Sequence, residues 1–294
     1  MKTITAKTIL SAYMQHGWFG VNYNINLYRG CSHGCIYCDS RSECYRIDDF
    51  ETVAIKENAL KILDKELCSK RRAGIVLTGS MSDPYNPMEK DQLATRGALK
   101  LFDKHGFGVI IITKSDLVVR DLDILQAIGR HSPAVVHFTV TCADDSMCRL
   151  IEPHAPSTSQ RLEALSLLAE NGISCGVLAM PILPFVNDTE DNVRRLALLA
   201  KQSGAKYIYA GGSFAVSCRD RQRAYLYQQL DQHFPDVKEK YIRHFSDSYW
   251  CASQNRALNR VFAKACRENG LPYRMEEIEH YIQSLYLFQP VLFS

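Results

Sequence analysis

The chain has 294 residues, 46% hydrophobic and 23% charged, with a net charge of +3 and eleven cysteines. That composition excludes disordered and fibrous classes, and the length suits one domain or two. No stretch approaches the roughly 20 apolar residues of a membrane span, and the opening MKTITAKTILSAYM carries no secretory apolar block.

A cytoplasmic, reducing setting is therefore expected, in which an odd set of clustered thiols points to metal or chemistry before disulfides. In chain order, strands are predicted over 22–28, 74–78, 108–113, 135–141, 173–180 and 207–210. Helices are predicted between them, over 56–68, 92–105, 121–130, 161–171 and 192–203. Ser157 and Gln160 read as a capping box, Asp188 or Thr189 as the cap of the last of these helices, and Gly106, Gly172 and Gly204 as C-caps. Six strands separated by helices imply parallel βαβ units, and six units are too few for a closed eight-stranded barrel. The expectation is an α/β open or partial barrel over 1–214. A helical extension then covers 215–294, with helices near 219–233, 237–244, 254–269 and 275–285. Between 215 and 274 there are eleven Lys or Arg against six Asp or Glu, which suits solvated helix faces or a polyanionic partner.

The strongest local signal is RGCSHGCIYCDSR, directly after the first predicted strand. It spaces Cys31, Cys35 and Cys38 as C-x3-C-x2-C, and three thiolates in one tight loop can hold three corners of a cubic iron–sulfur cluster. Cys44 falls off that spacing, so a fourth iron would stay open to a substrate or cofactor. A zinc site is the competing reading, with His33 inside the loop, although no second cysteine pair follows. Polar residues gather where the strands end, as they do at the catalytic face of a barrel: Thr78, Gly79, Ser80, Ser82 and Asp83, then Thr113 to Asp116, then Thr139 and Thr141.

The cysteine loop, with Tyr37 before its last cysteine, resembles that of the radical S-adenosylmethionine (SAM) superfamily. More narrowly, YRGCSHGCIYC, LTGSMSDPYNPME, ITKSDLVVRDLDIL and LIEPHAPSTSQRLEAL resemble the group related to spore photoproduct lyase. The resemblance implies a partial (β/α)6 barrel and a 4Fe-4S cluster held by Cys31, Cys35 and Cys38, with SAM on its open iron. It also implies one-electron cleavage of SAM to a 5′-deoxyadenosyl radical, which takes hydrogen from a substrate, and an electron donor such as flavodoxin or ferredoxin. SAM would then meet Lys114 at its carboxylate, Gly79 and Ser80 at its amino group, Thr139 or Thr141 at its ribose, and Tyr37 with the Pro181–Ile182 edge at its adenine. Asp83, Tyr85 and Glu89 are placed to bind substrate or to orient the next helix, and Glu152 with Arg161 to form a structural ion pair.

The chain departs from that pattern at two points. Ser80 or Met81 stands where the lyase has its hydrogen-returning cysteine, and Asp39 stands where it has a tyrosine after the last cluster cysteine. Cys142 is the candidate substitute donor, set against a buried packing role. The end of the chain, Gln289-Pro-Val-Leu-Phe, resembles peptides that bind the bacterial DNA polymerase sliding clamp, with Gln289, Leu292 and Phe293 as anchors. A DNA-related substrate is the leading expectation. A peptide or small-metabolite substrate is the first alternative, and a non-catalytic iron–sulfur or zinc module the second.

Overall fold

The computed structural model describes residues 2–14, 17–212 and 214–286. Its apolar runs become the strands of one seven-stranded sheet. Ser11–Ala12 (β1) lies antiparallel at one edge. Tyr23–Ile25 (β2), Ile75–Thr78 (β3), Gly108–Thr113 (β4), Ala134–Thr139 (β5), Ser174–Leu178 (β6) and Ile208–Tyr209 (β7) follow in sequence order and are parallel to one another. Helices Ala59–Cys68 (α1), Ala94–His105 (α2), Leu122–Gly129 (α3), Thr158–Glu170 (α4) and Glu190–Gln202 (α5) make the crossovers. This is a partial (β/α)6 barrel.

Alternation along the strands divides the core in two. Val76, Val109, Ile111, Val136 and Val177 face Leu63, Leu99, Leu125, Leu165 and Leu196 of the helices. Ile75, Leu77, Ile110, Val135 and Leu178 form the inner cluster with Phe19 and Tyr207. Burial on both faces explains the uninterrupted apolar strands. The capping box is present, with Ser157 N donating to Gln160 Oε1 at 2.8 Å and Gln160 N to Ser157 Oγ at 3.3 Å. Thr189 caps α5, accepting from Asn192 N at 3.1 Å, while Asp188 accepts from Ser253 Oγ instead.

Two predicted elements differ. The strand expected over 22–28 is split, because the chain leaves the main sheet after Ile25 and Tyr28–Arg29 pairs antiparallel with Ala54–Lys56. The extension is not purely helical: Ala215–Ser217 and Trp250–Ala252 form an antiparallel ribbon around Asp220–His233 (α6) and Val237–Phe245 (α7). Strands of three residues carry no readable period, which is why the sequence hid them. Beyond the ribbon, Leu258–Glu268 (α8) packs on α5 through Leu258, Phe262 and Ala265, and Met275–Ser284 (α9) adds Ile278 and Ile282 to the inner cluster. Among the described residues no helix is long and apolar enough to cross a membrane. Gln289, Leu292 and Phe293 lie outside the described residues.

Candidate cofactor site at the mouth of the barrel

The cysteine loop is anchored on several sides. Cys31 N donates to Phe50 O at 2.9 Å, Ile36 N to Ile151 O at 3.0 Å and His154 N to His33 O at 3.1 Å. Ser82 Oγ reaches in from the end of β3 and donates to Gly30 O at 2.5 Å. Gly30 has φ +82°, and a Cβ there would meet Phe50 O at 2.6 Å, so only glycine lets the chain turn this closely.

Cys31, Cys35 and Cys38 line a single cavity of about 410 Å³. Tyr37 belongs to the same wall. Facing them are Gly79 and Ser80 after β3, Lys114 after β4, Thr139 at the end of β5, and Met180 and Pro181 after β6. Gly79 has φ +98° and an added Cβ would lie 1.9 Å from Ile112 O, so the backbone of that turn presses directly on β4. Burial pushes Cys31 and Cys35 up to about 12 and Cys38 up to about 11, and a bound cation is what releases such protons. Among the described residues no three His, Cys, Asp or Glu side chains close on one ion-sized point. A cubic cluster asks instead for thiolates spread along a cavity wall, one to an iron, and the tight loop and its cavity fit that group.

Electrostatics in the cavity follow from a buried network. Arg161 Nη1 lies 2.5 Å from Glu152 Oε2, with both side chains fully buried. Tyr37 Oη donates to Glu152 Oε1. Arg161 also donates to Thr139 O at 2.9 Å and Pro156 O at 2.8 Å, joining the end of β5 to the start of α4. Burial opposes a charge on Glu152, but Arg161 and then Lys114 hold its pKa below the ordinary value. Burial likewise opposes the Lys114 ammonium, and Cys35 and Glu152 outweigh it, so Lys114 stays above its usual range. Its Nζ sits 5.6 Å from the Tyr37 ring centroid.

Asp83 joins two strand ends, accepting from Thr113 Oγ1 at 2.7 Å, Lys114 N at 2.8 Å and Tyr85 N at 2.9 Å. Despite burial, His33 and these bonds hold its pKa down to about 2. Tyr85 and Glu89 turn away from the cavity. Glu89 accepts from Thr95 N at 2.8 Å and Arg96 N at 3.2 Å, capping α2, while Tyr85 Oη donates to Asp121 at 3.0 Å.

Three further candidate residues are not brought to this cavity. The backbone carbonyl of Thr141 accepts from Asn187 and Asn192 at 2.9 and 3.0 Å, and its hydroxyl reaches Glu152 at 3.4 Å. Ile182 is fully buried in the barrel core. Cys142 is 1% exposed, its sulfur takes an amide N–H from Asn187 at 3.3 Å, and burial pushes its thiol up to about 12. Thr141 and Cys142 lie beyond the end of β5, where the chain leaves the sheet for the helix Asp145–Ile151.

The family profile of the radical SAM superfamily matches residues 25–197, more than half of the chain. The chain belongs to the radical SAM superfamily. It is 37% identical over 174 residues to an uncharacterized protein of Methanocaldococcus jannaschii, covering 58% of this chain and 64% of that one. It is 28% identical over 227 residues to an uncharacterized protein of Mycobacterium tuberculosis, covering 74% and 66%. The match thus spans just under two thirds of these relatives' own length. Spore photoproduct lyase complexed with dinucleoside spore photoproduct shares the fold, with TM-score 0.65, 14% identity, and 93% and 81% of the two chains covered.

The superfamily motif leads to the inner wall of the cavity but not to its rim. Trp18, Tyr45, Tyr249 and Trp250 also line it, with Asp39 and Ser217. Asp39 accepts from Ser217 Oγ and Arg219 Nη2, each at 2.6 Å, and from Tyr45 Oη at 2.8 Å, fastening the ribbon to the cysteine loop. Tyr249 and Trp250 are near-parallel at 6.4 Å and about half exposed, and the Arg219 guanidinium lies 5.0 Å from the Tyr249 ring centroid. Adjacent aromatics between polar runs, SDSYWCASQ, were the one sequence signal of this rim.

Proposed function

We propose that the chain is a radical SAM enzyme with a 4Fe-4S cluster on Cys31, Cys35 and Cys38, SAM in the same cavity, and a nucleic-acid base as substrate. The observation that carries this is the meeting of all three thiols with Lys114 and the strand-end polar groups in one cavity. When bound, the cofactors supply one-electron cleavage of the sulfonium and removal of a hydrogen atom from the substrate. A small reductant such as flavodoxin or ferredoxin would deliver the electron.

The chain's own residues bind and orient. Lys114, kept charged beside the buried Glu152 carboxylate, pairs with the SAM carboxylate as a point charge. The Gly79 carbonyl and Ser80 serve the amino group, and Thr139 the ribose. Tyr37, its phenol fixed by Glu152, and Pro181 take the adenine. The rim supports the substrate class, because planar bases stack on aromatic rings and Arg planes. The shared fold with a lyase solved with a dinucleoside spore photoproduct bound supports it too.

The test is hydrogen transfer from substrate. Anaerobically reconstituted protein is given SAM, dithionite and a single-stranded oligonucleotide deuterated in its bases and sugars. Deuterium in the recovered 5′-deoxyadenosine is expected. Turnover that ignores the oligonucleotide and incorporates no deuterium would replace this substrate class with a peptide or small metabolite.

A further inference from the structure

His33 sits inside the cysteine loop, 3% exposed, yet neither of its ring nitrogens has a hydrogen-bond partner among the described residues. Buried polar groups without partners are rare and call for an explanation. Its Nε2 lies 3.1 Å from Asp83 Oδ2, close enough for a strong charge interaction but off hydrogen-bond geometry. Both side chains line the cavity into which Cys31, Cys35 and Cys38 open. His33 is also the one residue shared with the lining of a second cavity, of about 680 Å³, on the other side of the loop. Asp83 itself is rigid, held by Thr113 Oγ1, Lys114 N and Tyr85 N.

A fixed carboxylate on the wall of a cluster cavity has an electrostatic consequence. Adding an electron to an iron–sulfur cluster makes it more negative, so a nearby carboxylate disfavours reduction, and the low local dielectric keeps that effect large. An imidazole against the carboxylate offsets it through the dipole of its ring.

We propose that the His33–Asp83 pair sets the reduction potential of the cluster, with Asp83 lowering it and His33 offsetting Asp83. The proposal rests on the radical SAM reading of the three cysteines and assigns both side chains as positioning residues, acting on the cluster's energy without ligating it. It accounts for a buried imidazole whose nitrogens make no hydrogen bond of good geometry among the described residues yet lie against Asp83, and for a carboxylate tied down by three donors.

The experiment is an EPR-monitored redox titration of the reconstituted full chain, with iron and sulfide counted for each variant. His33→Leu fills the same space without a donor and leaves Asp83 bare, so its midpoint potential should move more negative. Asp83→Asn keeps an acceptor for Thr113 and Tyr85 and removes the charge, so its potential should move less negative. His33→Gln, which restores a donor, should lie nearer wild type than His33→Leu. Opposite shifts in the first two variants establish the pair. Unchanged potentials, or shifts in the same direction, overturn it. Should His33→Leu fail to hold iron, Asp83→Asn decides alone: a less negative potential supports the pair and an unchanged one refutes it. A wild-type chain that takes up no iron would instead refute the cluster reading on which the proposal stands.

Discussion

Arg161 is fully buried and answers a fully buried Glu152, so its removal is the most informative structural perturbation. Arg161→Met would leave the Glu152 carboxylate, Thr139 O and Pro156 O short of donors at 2.5, 2.9 and 2.8 Å. Breaking a buried pair by removing one partner costs about 3–5 kcal/mol, because a charge is stranded in a low dielectric. For a chain of this length that is a fall in Tm of roughly 5–8 °C. The damage should reach the cofactor too, since Glu152 orients Tyr37 of the cysteine loop, and cluster content per chain should fall with stability. Thermal unfolding and iron analysis of Arg161→Met, Glu152→Gln and the double variant make the assay. The double variant should cost less than the two single changes added together, because the stranded charge is gone. A single variant costing under about 1 kcal/mol, or strict additivity, would refute the claim that this pair holds the loop to the barrel.

Other consequences follow from the same geometry. Gly79→Ala places a Cβ 1.9 Å from Ile112 O at φ +98°, and should cost about 3 kcal/mol in urea unfolding. Tyr249→Ala and Trp250→Ala remove half-exposed rings from the rim and should each weaken single-stranded oligonucleotide binding by about 1–3 kcal/mol, roughly 5- to 150-fold in Kd, with cluster absorbance retained. Asp83 has a folded pKa of about 2 against 3.8 unfolded, so its contribution is present above about pH 4 and is lost as pH falls toward 2. Asp83→Asn should therefore flatten part of the acid limb of the stability curve, worth about 2 kcal/mol. An acid limb identical to wild type would show that Asp83 is not so held.

Periodicity made the barrel legible. Runs such as 109–112 are apolar because both sheet faces are covered, and each parallel strand and crossover helix of the main sheet was foreseen to within a few residues, while the two-residue edge strand Ser11–Ala12 was not. The cysteine loop was legible from spacing, and Gly79, Ser80, Lys114 and Thr139 from their places at strand ends. Thr141 and Ile182 were assigned by continuing strands past their ends, where the chain turns and other partners claim them. Tyr249 and Trp250 were visible as aromatics in a basic stretch, but their place on the rim was hidden for a different reason. Asp39 meets Ser217 and Arg219 across 178 and 180 residues of sequence, and no local pattern encodes a contact between a loop and a three-residue strand. His33 and Asp83 were visible as residue types, but their opposition depends on how the turn after β3 is pressed against the loop.

Reductive SAM cleavage in the cavity lined by Cys31, Cys35, Cys38 and Lys114 is tested most directly by 5′-deoxyadenosine formed from SAM by the anaerobically reconstituted chain under dithionite, in wild type and Cys35→Ala. Product is expected in the wild type, and in Cys35→Ala the loss of both product and cluster absorbance. A zinc-loaded wild type that forms no 5′-deoxyadenosine, or a Cys35→Ala variant that still turns over, would contradict it.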